Sequence, residues 1–520
     1  MAELGSVDRR RLLQLATASA AAGAWPAFAQ PRLAADPFAL GVASGSPGPA
    51  SVVLWTRLVH DSLGTTPFGV RWEIAHDEGF ARIARSGTAP ALPELAHSVH
   101  VEAQGLEPDR GYFYRFIAGD WTSPVGRTRT LPAPEAANTR LRIAYASCQR
   151  WEHGYFSAWR HMRADAPDFV VFLGDYIYEY PGALNAVRGG ANGWATTLHD
   201  YRARYALYKS DADLRAMHAA CPWFCTWDDH EVQNDYAGLQ AGNAGPAVVD
   251  FAARRAAAYQ AYYEHMPLPA SVLTRGIEGL TRGIEVRLYG AQRIGQLATL
   301  YLLDARQYRD PQACTAGGMT GSGRVNPASC AAWEDPRRTL LGEAQERWIA
   351  SALASGSRGW NVIGQSTLFG PRSFAKAPAR LYWNDGWDGY AAARGRLVNA
   401  LRQPGAANPV LLGGDVHENW VGHVKADYAR PESENVAVEF CGTSITSRSS
   451  APDAVPRWLA ENPHFVFADG ARRGYGIAEF TPAQLRVRLR AVDAVERADS
   501  GISTLAQFAV DAGRSRIERD

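Results

Sequence analysis

Five short polar clusters in this 520-residue chain carry side chains able to do chemistry. They are Ala146-Ser147-Cys148-Gln149, Gly174-Asp175-Tyr176-Ile177-Tyr178-Glu179, Trp227-Asp228-Asp229-His230-Glu231, Ile363-Gly364-Gln365-Ser366 and Gly413-Gly414-Asp415-Val416-His417. Between them they offer a thiol, phenols, two imidazoles and several carboxylates, the donor types that bind metal ions. Singly, each is commonplace, since a cysteine after a strand is usually core and a Gly-Asp is usually a turn. Their placement is not. The clusters sit where strand-like runs end, and open α/β sheets place their ligands at the carboxyl ends of strands.

In this order the clusters resemble the calcineurin-like metallophosphoesterase pattern of D-x-H, GDxx(D/Y), GNH(D/E), a lone His and GHxH, with particular substitutions. Those substitutions are similar to the PhoD-like alkaline phosphatase family, as are Gly41-Val42-Ala43-Ser44-Gly45, Trp55-Thr56-Arg57, Asp229-His230-Glu231-Val232 and Gly442-Thr443-Ser444-Ile445-Thr446-Ser447. The likeness runs from the N-terminal segment to about Glu479. Ser46 and Asp235 depart from it, standing where the family pattern has Asp and Asn. The resemblance implies a four-layer α/β/β/α catalytic domain behind a fibronectin type III-like β-sandwich, hydrolysing phosphomonoesters, and diesters as well, under alkaline conditions.

On this reading Cys148, Tyr178, His417 and Asp175 gather around one cation. Three anionic donors favour a highly charged ion, and thiolate with imidazole disfavours Ca²⁺ or Mg²⁺, so Fe³⁺ fits best. A second site shares Asp175 and adds Asp229, Asp415 and Gln365, all oxygen donors that suit Ca²⁺, with Mg²⁺ and Mn²⁺ as alternatives. Two such ions ~3.5–4 Å apart would hold a phosphate and lower the pKa of water from roughly 16 toward 7 for in-line attack. His230, next to Asp229, is the expected general acid for the leaving alkoxide. Gln149, Arg150 and Asn234 are expected to orient phosphate oxygens, and Asp228 and Glu179 to fix ligand orientation.

Other chemistries fit less well. His417 and His423 are six residues apart, whereas a zincin needs its two histidines one helical turn apart. Neither a G-x-S-x-G elbow nor a G-x-x-x-x-G-K-[ST] loop is present. The runner-up within the enzyme class is a phosphodiesterase or phospholipase D-type activity on the same centre. An extracellular binding protein with a decayed hydrolase domain is disfavoured, because drift would have removed some of the ligand types.

The elements that must position these clusters change character along the chain. From about Pro37 to Pro132, short alternating segments such as Ser51–Thr56, Gly69–Ile74, Ser98–Val101 and Tyr112–Phe116 predict a β-sandwich over residues 36–132. Gly105-Leu106-Glu107-Pro108 leading into Tyr112 resembles the tyrosine corner of fibronectin type III-like domains. After the small, proline-containing stretch 130–138, apolar runs (Leu141–Ser147, Asp168–Leu173, Leu297–Leu303, Trp360–Ile363, Pro409–Leu412) alternate with helical patterns (Phe251–His265, Gly342–Leu353, Tyr390–Leu401). This predicts an α/β catalytic domain over 140–520.

Composition bounds the partners. With 46% hydrophobic and 21% charged residues the chain can bury a large core, and 54 basic against 53 acidic residues give no field for binding nucleic acid or an anionic membrane. Phosphate chemistry must come from a local site. Residues 1–30, with Arg9-Arg10 before Leu12-Leu13, a moderately apolar stretch and Ala27-Phe28-Ala29, resemble a twin-arginine export signal, implying contact with that machinery and a periplasmic or extracellular location. No later apolar run is long enough for a stable membrane anchor. Cys314 and Cys330 bracket a Gly/Ser-rich loop and are expected to close it as a disulfide.

Overall fold

The computed structural model describes residues 32–275, 285–315, 320–356 and 358–519, so the export signal expected over residues 1–30 lies outside the described residues. The chain divides into two compact units. One comprises residues up to Leu131 with Thr197–Trp223 and Ala252–Arg287, and the other comprises Pro132–Thr196, Phe224–Phe251 and Leu288–Asp520. Composition shows the break near residue 132, but it carries no sign that two later helical stretches return to the first unit.

In the first unit, Val42–Gly45, Ser51–Arg57 and Ser98–Gln104 pair antiparallel. A second sheet orders Ile83–Ala91, Phe68–Ala75, Gly111–Ala118 and Trp121–Thr122, with Gly126–Arg129 also pairing Gly111–Ala118. Alternate residues face one shared core of Val52, Leu54, Val70, Ile74, Val99, Val101, Tyr112 and Phe116, as the period of two requires. The Tyr112 hydroxyl accepts from the Glu107 N–H at 2.9 Å, closing the tyrosine corner.

The second unit holds every candidate site residue. In its seven-stranded sheet, Ala298–Leu302, Trp360–Gly364, Pro409–Gly413 and Asn435–Cys441 run parallel. The first three are buried along their whole length, which is why they read as continuous apolar runs rather than alternating ones. Helices Glu343–Ala354 and Ala391–Leu401 cover the outer face, packing Ile349, Leu353, Leu397 and Val398 against Tyr301, Ile363 and Leu411.

In the other sheet, Leu141–Ala146 lies parallel to Phe169–Phe172 and antiparallel to Gly474–Phe480, continuing through Gln484–Val492 and Ile502–Asp511 to Glu518–Arg519. The C-terminal residues are thus edge strands. Helix Ser157–Ala164 covers this sheet, with Trp159 6.0 Å from Phe172. The sheets face one another: Trp360 meets Phe480 edge-on at 5.7 Å, and a Cβ on Gly364 would lie 3.3 Å from Leu173 and Val171. The result is α/β/β/α layering. Because the strands before Cys148, Asp175, Gln365 and Asp415 run parallel within their sheets, their carboxyl ends deliver those residues together.

Candidate active site

The turns that leave these strands are unusually tight. Cys148, Asp175, Asp415 and His417 have φ of 59°, 58°, 67° and 57°, the left-handed region that costs non-glycine residues about 1–3 kcal/mol. Gly174, at φ 108°, lets the Asp175 turn pass the Asp228 loop, where a Cβ would come within 2.5 Å of Asp228. The Glu231 carboxylate clamps the two turns together by accepting from the N–H groups of Asp175 (3.1 Å), Tyr176 (2.6 Å) and Asp228 (2.9 Å). Cys148 N–H donates to the Gly174 carbonyl at 3.1 Å, adding the first turn to the same assembly.

One corner of the site combines sulfur, phenol and imidazole. Donor atoms of Cys148, Asp175 and His417 lie within 4.8 Å of one another. The Tyr178 hydroxyl donates to Asp175 Oδ2 at 2.8 Å and sits 3.0 Å from His417 Nε2. His417 Nδ1 is 3.0 Å from the Arg448 carbonyl, so this nitrogen carries the proton and leaves the Nε2 lone pair facing Tyr178 and Asp175. Burial, with Arg473, holds the His417 pKa down at about 3, so the imidazole is neutral. Burial and the neighbouring Asp175 push the Cys148 thiol and the Tyr178 phenol well above their ordinary values. A cation held among these groups would reverse that order and favour the thiolate and phenolate forms.

The opposite corner is built of oxygen. Asp229 Oδ2 accepts from the Asp235 N–H at 2.7 Å. Asp229 Oδ1, Asp175 Oδ1 and Asp228 Oδ2 are buried without a hydrogen-bond partner. A buried carboxylate oxygen left unpaired is costly unless an ion takes it up, and carboxylates are the donors that hard cations use. The residues present therefore fit metal binding. Asp415 Oδ2 accepts from Thr367 Oγ1 at 2.7 Å, and burial with Asp228 raises its pKa well above the carboxylate range. Gln365 reaches this corner indirectly: its carbonyl oxygen accepts from Thr367 N–H and Trp387 Nε1, each at 3.1 Å, so it braces the threonine that holds Asp415.

His230 stands between the corners, with a ring nitrogen within 4.8 Å of donor oxygens of Asp175 and Asp229. Its Nδ1 is 2.7 Å from Glu179 Oε2, and Glu179 Oε1 accepts from the Asn234 N–H at 2.8 Å. Burial opposes its charge, but Glu179, Asp229 and Asp175 outweigh that and hold its pKa well above normal. The imidazolium is therefore the form that can give a proton. Arg150 lies 4.9 Å over the Tyr180 ring and 5.8 Å over Tyr178, at the half-buried edge of the site. Asn234 is also half-buried. Gln149 lies elsewhere, fully buried, its amide donating to the Tyr176 carbonyl at 2.9 Å and accepting from Trp159 Nε1 at 3.0 Å.

Several contributors escaped the sequence reading. Buried Arg306 bonds Asp228, pairs Asp385 at 2.6 Å and approaches Asp229 at 3.8 Å. Arg309 also pairs Asp385, at 2.7 Å. Ser447 Oγ lies 2.8 Å from the Tyr178 hydroxyl, and Arg473 bonds the carbonyls of His417 and Ser447. Arg306 was findable, because Asp304 and Arg306 directly follow strand Ala298–Leu302 at the same sheet edge as the other clusters.

Comparison with known proteins agrees with this geometry. The family model described as PhoD-like phosphatase matches residues 143–489, and that of the PhoD-like phosphatase N-terminal domain matches residues 20–132. Alkaline phosphatase D of Bacillus subtilis (strain 168) is 42% identical over 535 aligned positions, covering 98% of this chain and 89% of that protein. A solved structure titled "Structure of PhoD" superposes with a TM-score of 0.86 at 42% identity, covering 94% of this chain and 93% of the other. With both units matched, and with the turns at Cys148, Asp175, Asp229 and Asp415 inside the matched region, the chain belongs to the PhoD-like phosphatase family.

Proposed function

We propose that the protein is an exported alkaline phosphatase that hydrolyses phosphomonoesters at an Fe³⁺/Ca²⁺ centre. Cys148, Asp175, Tyr178 and His417 would hold the iron, and Asp175, Asp229 and Asp415 the calcium. The observation that carries this reading is the pair of buried, partnerless oxygens Asp175 Oδ1 and Asp229 Oδ1 beside a neutral imidazole whose other nitrogen is anchored to a carbonyl. When bound, the cations supply positive charge to the phosphoryl group and acidify water at working pH.

The chain's own residues do the rest. Glu179 keeps His230 charged and oriented, so that the ring can protonate the departing alkoxide. Arg150, held over Tyr178 and Tyr180, presents a guanidinium to phosphoryl oxygens. Glu231 fixes the two carboxylate-bearing turns, so orientation is set before substrate arrives.

Export through the twin-arginine machinery is supported by Arg9-Arg10 and by Ala27-Phe28-Ala29. The Cys314–Cys330 disulfide suits an oxidising compartment. Among the described residues no helix is long and apolar enough to cross a membrane.

A panel of monoesters, diesters and phospholipids, run with metal analysis on one natively purified preparation, tests the reading. Stoichiometric iron and calcium with fastest turnover of monoesters is expected, and full turnover in iron-free protein would refute the assignment. Faster cleavage of diesters would move it to a phosphodiesterase on the same centre. His230→Ala should slow esters with poor leaving groups by ~10²–10⁴-fold and activated aryl esters far less. Equal losses on both would remove its role as acid.

A further inference from the structure

We propose that the segment Thr320–Cys330, tied at its end by the Cys314–Cys330 disulfide, is a positioning element of the active site, acting through Ser322 on Asp235 and through Asp235 on Asp229. This rests on the reading of Asp229 as a cation ligand. The contacts run in series: Ser322 Oγ donates to Asp235 Oδ2 at 2.5 Å, and the Asp235 N–H donates to Asp229 Oδ2 at 2.7 Å. The second bond turns the Asp229 carboxylate so that Oδ1 is the oxygen left without a partner.

Asp235 needs holding for two reasons. Its φ of 58° is a left-handed conformation, which persists only where surrounding contacts over-determine it. Its carboxylate also lies in a close group with those of Asp229 and Asp385, and like charges at that range repel. Asp385 is answered by Arg306 and Arg309. For Asp235 the Ser322 hydroxyl is the side-chain donor that fixes Oδ2.

Ser322 in turn is placed by the loop. Gly323 N–H donates to Asn384 Oδ1 at 2.7 Å, Asn384 N–H returns a bond to the Gly323 carbonyl at 3.1 Å, and Asn384 Nδ2 bonds the Ala313 carbonyl at 2.7 Å. Arg324–Val325 pairs with Tyr382–Trp383, and Ala313, Val325, Cys330 and Trp333 form a small buried cluster. The disulfide, spanning 16 residues, adds the covalent tie that limits the separation of the loop's two ends.

The test titrates calcium into chelator-treated full-length protein by calorimetry, for wild type, Ser322→Ala, Ser322→Thr and the double variant Cys314→Ser/Cys330→Ser. Loss of an outer hydrogen bond to a ligand weakens metal binding by roughly 10–100-fold. Ser322→Ala and the double variant should therefore bind calcium at least ~10-fold more weakly, while Ser322→Thr, which keeps the hydroxyl, stays near wild type. Wild-type affinity in Ser322→Ala, with or without a lower melting temperature, would overturn the proposal, and this variant decides the matter if the double variant does not fold. Should wild type take up no calcium, the two-cation reading falls instead. The positioning claim then rests on kcat, which should drop in Ser322→Ala at unchanged KM and must not equal that of wild type.

Discussion

The two corners of the site carry their charge in different ways. Around Cys148, Tyr178 and His417 the groups are neutral when left to themselves: burial keeps the thiol and phenol protonated and the imidazole uncharged. Around Asp228, Asp229 and Asp385 the carboxylates already have a partner in Arg306, which holds the Asp229 and Asp385 pKa values below normal against the effect of burial. The first corner would therefore take its ligand form only as a strongly charged cation displaced protons, whereas in the second Arg306 already keeps Asp229 ionised while burial still raises Asp228 and Asp415. Metal loss should therefore be asymmetric, with a tightly held ion on the sulfur side and an exchangeable one on the oxygen side.

The largest effects would break that asymmetry. EGTA should abolish turnover and added Ca²⁺ should restore it, while Cys148→Ala should lose iron and activity by roughly 100-fold or more with no rescue by calcium. Iron retained at wild-type stoichiometry in Cys148→Ala, measured by elemental analysis, would remove the sulfur corner from the metal site.

A smaller effect probes the compensation itself. Arg306→Ala leaves Asp228 and Asp385 buried without their shared cation and should destabilise the fold by about 3–5 kcal/mol in urea unfolding. A loss under about 1 kcal/mol would mean that the carboxylates are not charged as described. The smallest expected effect is that of Gln149→Ala. Because its amide ties the Tyr176 carbonyl to Trp159 within the core, it should lower the melting temperature and leave KM unchanged within about twofold, and a large KM rise would put Gln149 back at the phosphate.

Much of this arrangement was legible in the sequence for one reason. Residues that follow an apolar parallel strand are carried to one edge of the sheet, so Cys148, Asp175, Asp415 and His417 announce themselves by position as well as type. The strands Leu141–Ala146, Phe169–Phe172 and Pro409–Gly413 and the helix Phe251–His265 lie within a residue or two of where the apolar pattern puts them.

What stayed hidden acts through the backbone or across long separations. Glu231 accepts three main-chain N–H groups, a role that no spacing reveals. Gln149 has the right type and place for a phosphate contact, but whether its side chain turns outward or inward depends on Trp159 and Tyr176, which sequence spacing does not specify. Likewise, Thr197–Trp223 and Ala252–Arg287 pack with the first unit although they lie far beyond the composition break.

The left-handed backbone at Cys148, Asp175, Asp415 and His417 also bears on what evolution and engineering can do with this chain. Four side chains are kept in a conformation that suits glycine, so replacing one by glycine trades catalysis for robustness. An inactive Asp415→Gly protein should melt at a higher temperature than its metal-free parent, which makes it a sturdy scaffold into which an altered donor set could be built.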